Sequence, residues 1–503
     1  MEAPMNSPAA TPNTAMATDH PAVRALQPTA LWGYFCDLNR VPRASKREAQ
    51  VTEFAANFGR QRGLETLVDS VGNVIIRKAA TPDRQGRPGV ILQAHLDMVH
   101  QKNQDTEFDF ASEGIRMEVR PDWVWAQGTT LGADNGIGVA AIFAILAADD
   151  LSHPDLEALL TIDEETGMTG AKALQPGLLR GQVLLNLDTE EDDELTIGCA
   201  GGVDVTATGT YTPEPLVGDT QVQKWQIRGL KGGHSGMDIH LGRGNANQLL
   251  VRALVAAQTA FGLRVLHIDG GSLRNAIPRE ATAVVALPTA HIAACQAWFS
   301  DLAATLATEY QDTDPDLALT ASNLPAATPP QALPPAFQRQ LLAALSACPN
   351  GVARMSPRMP GLVETSNNLA RVIVLDGQWQ IGCLTRSSID TARDHLAQAI
   401  RGLWETIGGT VTTSGDYPGW QPQPDASIVQ LTAQVYEELF GHPPKVAACH
   451  GGLECGILGS KYPHVPMVSF GPNIRGAHSP EERVQISSVQ KSWRLLLEVL
   501  RRI

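Results

Sequence analysis

Four short segments of this 503-residue chain set acids or an imidazole directly after an apolar run. The first is Val90-Ile-Leu-Gln-Ala-His95-Leu-Asp97. Residues two apart on a strand project to the same face, so Asp97 can hold His95 or lie beside it. The second, Gly128-Thr-Thr-Leu-Gly-Ala-Asp134-Asn-Gly-Ile-Gly138, is a Gly-rich loop feeding a helix. Asp134 there reads as an N-cap for free backbone donors, and a carboxylate whose backbone is fixed in this way is also a well-oriented ligand. The third, Leu159-Leu-Thr-Ile-Asp163-Glu164-Glu165, runs into the tight turn Thr-Gly-Met-Thr-Gly. Adjacent Glu residues on extended chain point opposite ways, which lets one bind and the other act. The fourth, Val183-Leu-Leu-Asn-Leu-Asp188, ends in acid again, and the run Glu190 to Glu194 behind it reads as a solvated loop. Late in the chain, Ser469-Phe-Gly-Pro-Asn-Ile-Arg-Gly-Ala-His478-Ser-Pro-Glu-Glu482 offers a further imidazole just after a strand.

Taken singly, each segment is as well explained by a surface loop or a helix cap. Their common position is the signal. In open α/β sheets the carboxyl ends of the strands line the ligand crevice, so His95, Asp134, Glu164, Glu165 and Asp188 are expected to converge there. Carboxylates gathered so closely repel one another and take up protons unless a cation neutralises them. A divalent metal is the economical answer. A mixed imidazole and carboxylate shell suits zinc, with manganese or cobalt as alternatives, and not an oxygen-only calcium or magnesium cage.

The elements needed to position these groups are legible as alternating patterns. Apolar residues at helical spacing from Pro28 to Arg62, divided by Pro42, predict two amphipathic helices. Asn73 to Arg77, Val90 to His95, Leu156 to Ile162 and Val183 to Leu187 read as buried strands, and Asn135 to Ala147 as a helix. Past Gly198-Cys-Ala-Gly-Gly202 the character changes to half-solvated antiparallel strands at Lys224 to Arg228, Ala281 to Leu287 and Gln378 to Leu384. Helices are expected at Asn245 to Phe261 and His291 to Tyr310, and the Pro-rich passage Pro325 to Pro335 reads as a linker or hairpin. After a Gly-, Pro- and Asp-rich break at Ser414 to Asp425, the pattern returns to a helix (Ala426 to Phe440), a strand (Pro466 to Gly471) and a helix (Ser487 to Leu500). The simplest architecture is one α/β domain interrupted by an inserted α+β domain.

Composition narrows the function classes. Hydrophobic residues make up 43% of the chain, enough to bury more than one core. Lys and Arg total 39 against 53 Asp and Glu, a formal charge of −14 that repels a phosphate backbone, so nucleic acid is not expected as a partner. The 7 cysteines are scattered, odd in number and without a CxxC pair, which fits a reducing cytoplasm and no disulfide framework. Residues 1–21 are read as a disordered tail without signal or transit character. No apolar run approaches the ~18 to 20 residues needed to span a bilayer, so no membrane partner is expected.

In its motifs the chain resembles the M20 metallopeptidases, and within them the aminoacyl-histidine dipeptidases, also called Xaa-His dipeptidases, carnosinases or peptidase D. Ala94-His-Leu-Asp-Met-Val99, Gly132-Ala-Asp-Asn-Gly136, Asp163-Glu-Glu-Thr-Gly167, Asn186-Leu-Asp188 and Gly476-Ala-His-Ser479 occur in family order. The resemblance runs from about Pro28 to the C-terminus. It implies a mixed-sheet zinc-peptidase catalytic domain with helices on both faces (residues 22–201 and 415–503), interrupted by an inserted α+β lid and dimerisation domain (202–414). It further implies a two-zinc site in which Asp134 bridges, His95 and Asp188 complete one shell, and Glu165 and His478 complete the other. Glu164 matches the general base, and Asp97 the acid that orients His95. With such a pair of ions a water becomes a nucleophile near neutral pH.

The inserted region carries Gly229-Leu-Lys-Gly-Gly-His234-Ser-Gly-Met237, which in relatives supplies a lid imidazole. Asn275 and Arg386 are polar groups suited to a substrate carboxylate. His450-Gly-Gly452-Leu-Glu454-Cys-Gly456 resembles a family Gly-rich stretch whose backbone donors at a helix start suit an anion, while Cys449 and Cys455 beside it read as packing residues. The resemblance implies a cytoplasmic, homodimeric dipeptidase acting on Xaa-His and other unblocked dipeptides. The same metal chemistry would also serve a tripeptide aminopeptidase, a carboxypeptidase or an N-acyl amino acid deacylase. A catalytically silent binding protein would have lost a ligand or the base, and none is missing.

Overall fold

A computed structural model describes residues 19–325 and 330–503. The chain divides into two compact units: one runs to Ile197 and resumes at Gln423–Ala447 and Leu458–Ile503, and the other comprises Gly198–Pro422 and Ala448–Ile457.

The first unit is built on an eight-stranded mixed sheet in the order Glu65–Val68, Val74–Lys78, Leu156–Thr161, Val90–His95, Val183–Asn186, Met467–Ser469, Glu194–Cys199, Lys445–Cys449. Its four middle strands, from Leu156–Thr161 to Met467–Ser469, are mutually parallel, while Val74–Lys78 is antiparallel to both its neighbours and Glu194–Cys199 is antiparallel to Met467–Ser469. Every residue of Val90–His95 and Leu156–Thr161 is buried. Because alternate residues face opposite sides, both faces of the sheet are covered. Helix Ala133–Ala147 is apolar almost throughout and correspondingly buried, with the Phe143 ring stacked on Phe58 at 4.0 Å. Parallel strands end on one edge of a sheet, so the segments after His95, Thr161, Asn186 and Ser469 leave it on the same side.

The second unit holds a nine-stranded sheet. Its path is Ala318–Asn323, Thr220–Arg228, Ala281–Pro288, Arg264–Gly271, Val363–Leu375, Gln378–Ser387, Gly201–Thr210, Thr410–Tyr417, with Gly351–Met355 pairing against Val363–Leu375. Its core gathers Trp225, Leu250, Leu254, Val285, Leu341, Val372 and Trp404.

Several expectations are corrected in detail. Helices Pro335–Ala347 and Asp390–Glu405 and strand Val363–Leu375 belong to the second unit and were not anticipated. In the Pro-rich passage, residues 326–329 lie outside the described residues, whereas Gln331–Ala332 pairs with Glu214–Pro215 and Pro335 opens a helix at a position where its missing N–H costs nothing. Strand Thr410–Tyr417 runs into the break expected from Ser414. Of residues 1–21, only 19–21 are described: His20 is buried with Nε2 2.9 Å from the Ile115 carbonyl, and Pro21 begins a short helix. All seven cysteines are free thiols. No helix among the described residues is long and apolar enough to cross a membrane.

Candidate metal centre

Four groups meet around the Asp134 carboxylate: His95, Glu165 and Asp188, which stand at or just after the ends of parallel strands, and His478, which follows the short strand Ile474–Arg475. One oxygen of Asp134 lies 3.0 Å from His95 Nε2, and the other lies 3.3 Å from His478 Nε2. On the His95 side, Asp188 Oδ1 is 3.4 Å from the same ring nitrogen. On the His478 side, Glu165 Oε2 is 2.9 Å from Nε2. The cluster therefore has two halves, each an imidazole with its own carboxylate, joined through one shared acid.

The electrostatics of the cluster call for positive charge. Burial alone would depress the His95 imidazole, yet Asp188, Asp134 and Asp97 hold it well above its usual value. His478 is pushed up to about 11 by its hydrogen bonds to Asp134 and Glu165. Burial raises Glu165 and Asp188, whereas Asp134, despite its own burial, is held low by the two imidazoles. Protons on the rings thus occupy the places where cations would balance three crowded carboxylates. Glu165 Oε1 is buried without a hydrogen-bond partner among the described residues, and His95, Asp134 and Glu165 offer ligand atoms all within 4.8 Å of one another. This donor set fits a pair of borderline divalent ions.

Asp97 organises the base side. Its carboxylate lies 3.4 Å from His95 Nδ1 and accepts from Ser45 Oγ (2.8 Å), Glu164 N (3.1 Å) and Glu165 N (3.3 Å). One buried acid therefore fixes both the His95 ring and the backbone that carries Glu164. Asp163 turns away from the centre: it adopts φ 55°, pairs with Lys46 Nζ at 2.6 Å, and accepts from Thr166 and Thr169. A second grouping, Glu48, Asp97 and Asp163, is already satisfied by Lys46, Ser45 and these hydroxyls.

The N-cap reading of Asp134 is corrected, because the cap comes from elsewhere. Both oxygens of Glu482 take the backbone N–H groups at the start of the helix, Leu131 at 2.7 Å, Gly132 at 2.9 Å, Ala133 at 2.7 Å and Asp134 at 3.2 Å. The Asp134 side chain is thereby released toward the imidazoles. Burial pushes Glu482 up to about 7, against the pull of these amides. Arg43, also fully buried, donates to the carbonyls of Leu96 (3.1 Å), Asp97 (3.1 Å) and Gly132 (2.5 Å) and to Asn39 Oδ1 (2.9 Å). Gly132 is required here: its φ is 67°, and a Cβ would sit 2.4 Å from Arg43 Nη2. Asn135 Nδ2 donates to the Leu187 carbonyl (2.7 Å) and to the Asp188 carboxylate.

Sequence reasoning missed Arg43, Glu482 and Asn135. The acidic pair after His478 carried a faint signal for Glu482; Arg43 carried none. The solvated loop expected at Glu190 to Glu194 is also corrected. Glu190 is half-buried and pushed up to about 8 by burial and by Asp134 and Asp188, while Glu191, Asp192 and Glu194 pair with Arg475, Lys491 and Lys445.

Four further candidates, His234, Asn275, Arg386 and Gly452, belong to the second unit. His234 Nδ1 accepts from Gly236 N (3.2 Å) and Met237 N (3.0 Å), so a neutral ring carries its proton on Nε2 and presents a donor there. Burial and the Arg386 charge keep His234 below its usual value. Arg386 is buried, donates to Tyr417 Oη at 2.7 Å, and leaves Nε without a partner among the described residues. His450 lies 2.8 Å from Ser366 Oγ and is pushed down to about 3 by burial and by Arg386. Gly236 passes so close to the His450 carbonyl that a Cβ would stand 2.2 Å away. Asn275 is exposed, its carbonyl accepting from Ser235 N at 2.7 Å, and Gly452 is half-buried two residues after His450.

The family model for Peptidase family M20/M25/M40 matches residues 91–502. The chain is 41% identical over 478 residues to the cytosol non-specific dipeptidase of Escherichia coli (strain K12), an alignment covering 95% of this chain and 98% of that protein. The crystal structure of aminoacylhistidine dipeptidase from Vibrio alginolyticus is similar with a TM-score of 0.91 and 42% identity, covering 96% of this chain and 98% of that one. Aminopeptidase PepT from Bacillus cereus shares the fold at a TM-score of 0.55 and 15% identity, over 95% of this chain and 98% of that one.

Proposed function

This chain belongs to peptidase family M20/M25/M40, and from that premise we propose that it is a metal-dependent dipeptidase hydrolysing unblocked dipeptides, those ending in histidine among them. The observation that carries the metal assignment is the Asp134 carboxylate, whose two oxygens face different imidazoles at 3.0 and 3.3 Å. We assign one divalent ion to His95, Asp188 and Asp134 and another to Glu165, His478 and Asp134, with zinc the preferred metal and cobalt or manganese as substitutes. Bound there, the ions would supply Lewis acidity that lowers the pKa of a water and polarises the scissile carbonyl.

The chain's own residues perform the proton chemistry. Glu164 takes the proton from the attacking water and delivers it to the departing amine. Asp97 holds the Glu164 backbone and the His95 ring in register, so neither has to reorganise during turnover. Arg386 is assigned to the substrate carboxylate, with His234, Asn275 and the Gly452 backbone as further donors. Residues 202–414 are assigned the role of lid and dimerisation domain in a homodimer. A cytoplasmic location fits the seven free thiols and the relative named a cytosol dipeptidase.

The test is a substrate panel on the purified, metal-loaded protein. Carnosine, other Xaa-His dipeptides and neutral dipeptides should turn over with higher kcat/KM than tripeptides or N-acyl amino acids; preference for the latter two would overturn the dipeptide assignment.

A further inference from the structure

Two opposite buried charges hold the loop that carries Asp134, one from each direction. Glu482, four residues beyond His478, takes the N–H groups of Leu131, Gly132, Ala133 and Asp134. Arg43 takes the Gly132 carbonyl and, through the same guanidinium, the Leu96 and Asp97 carbonyls that follow His95. Each half of the centre is thus tied to the shared acid by a different ion: the His478 segment through Glu482, the His95 segment through Arg43. We infer that Arg43 and Glu482 are positioning residues that set the spacing of the two metal halves about Asp134, a role that rests on the two-ion reading above.

The chemistry of the pair supports this over a packing role. The first N–H groups of a helix have no partner within it, and here both oxygens of one acid accept from four backbone N–H groups at the helix start. A carboxylate can fill that cradle; a carboxamide of the same size cannot, because it offers one oxygen and turns an NH2 toward donors. On the other side, a guanidinium reaches several carbonyls in a fixed fork, which an ammonium of the same charge does not. Plain space-filling would tolerate both replacements. The glycines at 132 and 136 leave room for this guanidinium, since a Cβ on either would meet Arg43 Nη2 at 2.4 or 2.6 Å.

The experiment uses the full chain and has three arms. In chelator-stripped wild type, hydrogen exchange should show the amides of Leu131 to Asp134 protected as strongly as those of Val90–His95; rapid exchange there overturns the clamp without any variant being needed. In Glu482→Gln and Arg43→Lys, cobalt titration followed by visible absorption and zinc content by mass spectrometry should show affinity lowered about 10- to 100-fold, the scale for removing a ligand's outer support. For Glu482→Gln, exchange should quicken at residues 131–134 while the sheet stays protected, and dipeptide kcat should fall with KM little changed. Wild-type metal affinity in both variants overturns the clamp alone. A wild-type chain that binds no divalent ion overturns the two-ion reading on which the clamp depends.

Discussion

His95 and His478 in one unit and His234 and His450 in the other are the same residue type under opposite fields. The first pair stands among Asp134, Asp188 and Glu165 and is held above its usual value. Of the second pair His450 is buried and His234 half-buried, both within the field of the Arg386 guanidinium, and both are held below their usual value. What differs is the charge of the neighbours, so one cluster calls for cations and the other for an anion.

The sharpest way to break the comparison is to remove the shared acid. Asp134→Asn should lose both ions and lower kcat by more than ~10⁴-fold, beyond the upper end of what a lost general base costs. Metal content measured beside turnover checks it, and retention of two ions would show that Asp134 does not join the halves. Next in size, Glu164→Gln should keep its metal yet lose about 10²- to 10⁴-fold in kcat, separating the proton carrier from the ligands. Full hydrolysis by that variant would remove Glu164 from the base role.

Changes in the second cluster should leave the metal alone. Arg386→Met should raise KM for dipeptides by about 10- to 100-fold, the worth of a charged hydrogen bond at about 1.5–3 kcal/mol, and should leave dipeptide amides nearly unaffected. Equal losses on acid and amide substrates would contradict the carboxylate assignment. The smallest effect concerns pH. His450 is held neutral to about 3, so from pH 6.5 downward the unfolded chain binds a proton that the folded chain refuses, and stability falls with pH. Between pH 7 and pH 5 that contribution is at most about 2 kcal/mol, from ~1.4 kcal/mol per pH unit below the unfolded pKa. His450→Gln should therefore lose less thermal stability than wild type over this interval, as differential scanning calorimetry would show.

Much of the metal centre was readable because His95, Glu165 and Asp188 stand at or within a few residues of the end of an apolar strand, and parallel strands bring their ends to one edge. The residues that hold those acids were not. Glu482 reaches amides about 350 positions away and Arg43 a carbonyl 89 positions away, so no local period encodes either contact. Asp134 shows the limit well: a helix-start Asp reads as its own cap, and only the fold reveals that another acid does the capping. Strand Val363–Leu375 escaped notice because Thr365, Ser366, Asn367 and Asn368 are buried by hydrogen bonding and not by hydrophobicity. Helix Asp390–Glu405 was legible in principle, its buried Arg393, Ala397, Ile400 and Trp404 recurring at helical spacing around a charged sequence.

The central claim, that two cations hold these acids and imidazoles together and that turnover depends on them, is met most directly by counting metal per chain in active protein while titrating a chelator. The account requires two divalent ions per chain, activity that disappears as they are withdrawn, and recovery with zinc or cobalt. Active protein that carries no ion, or turnover undiminished in excess chelator, would contradict it.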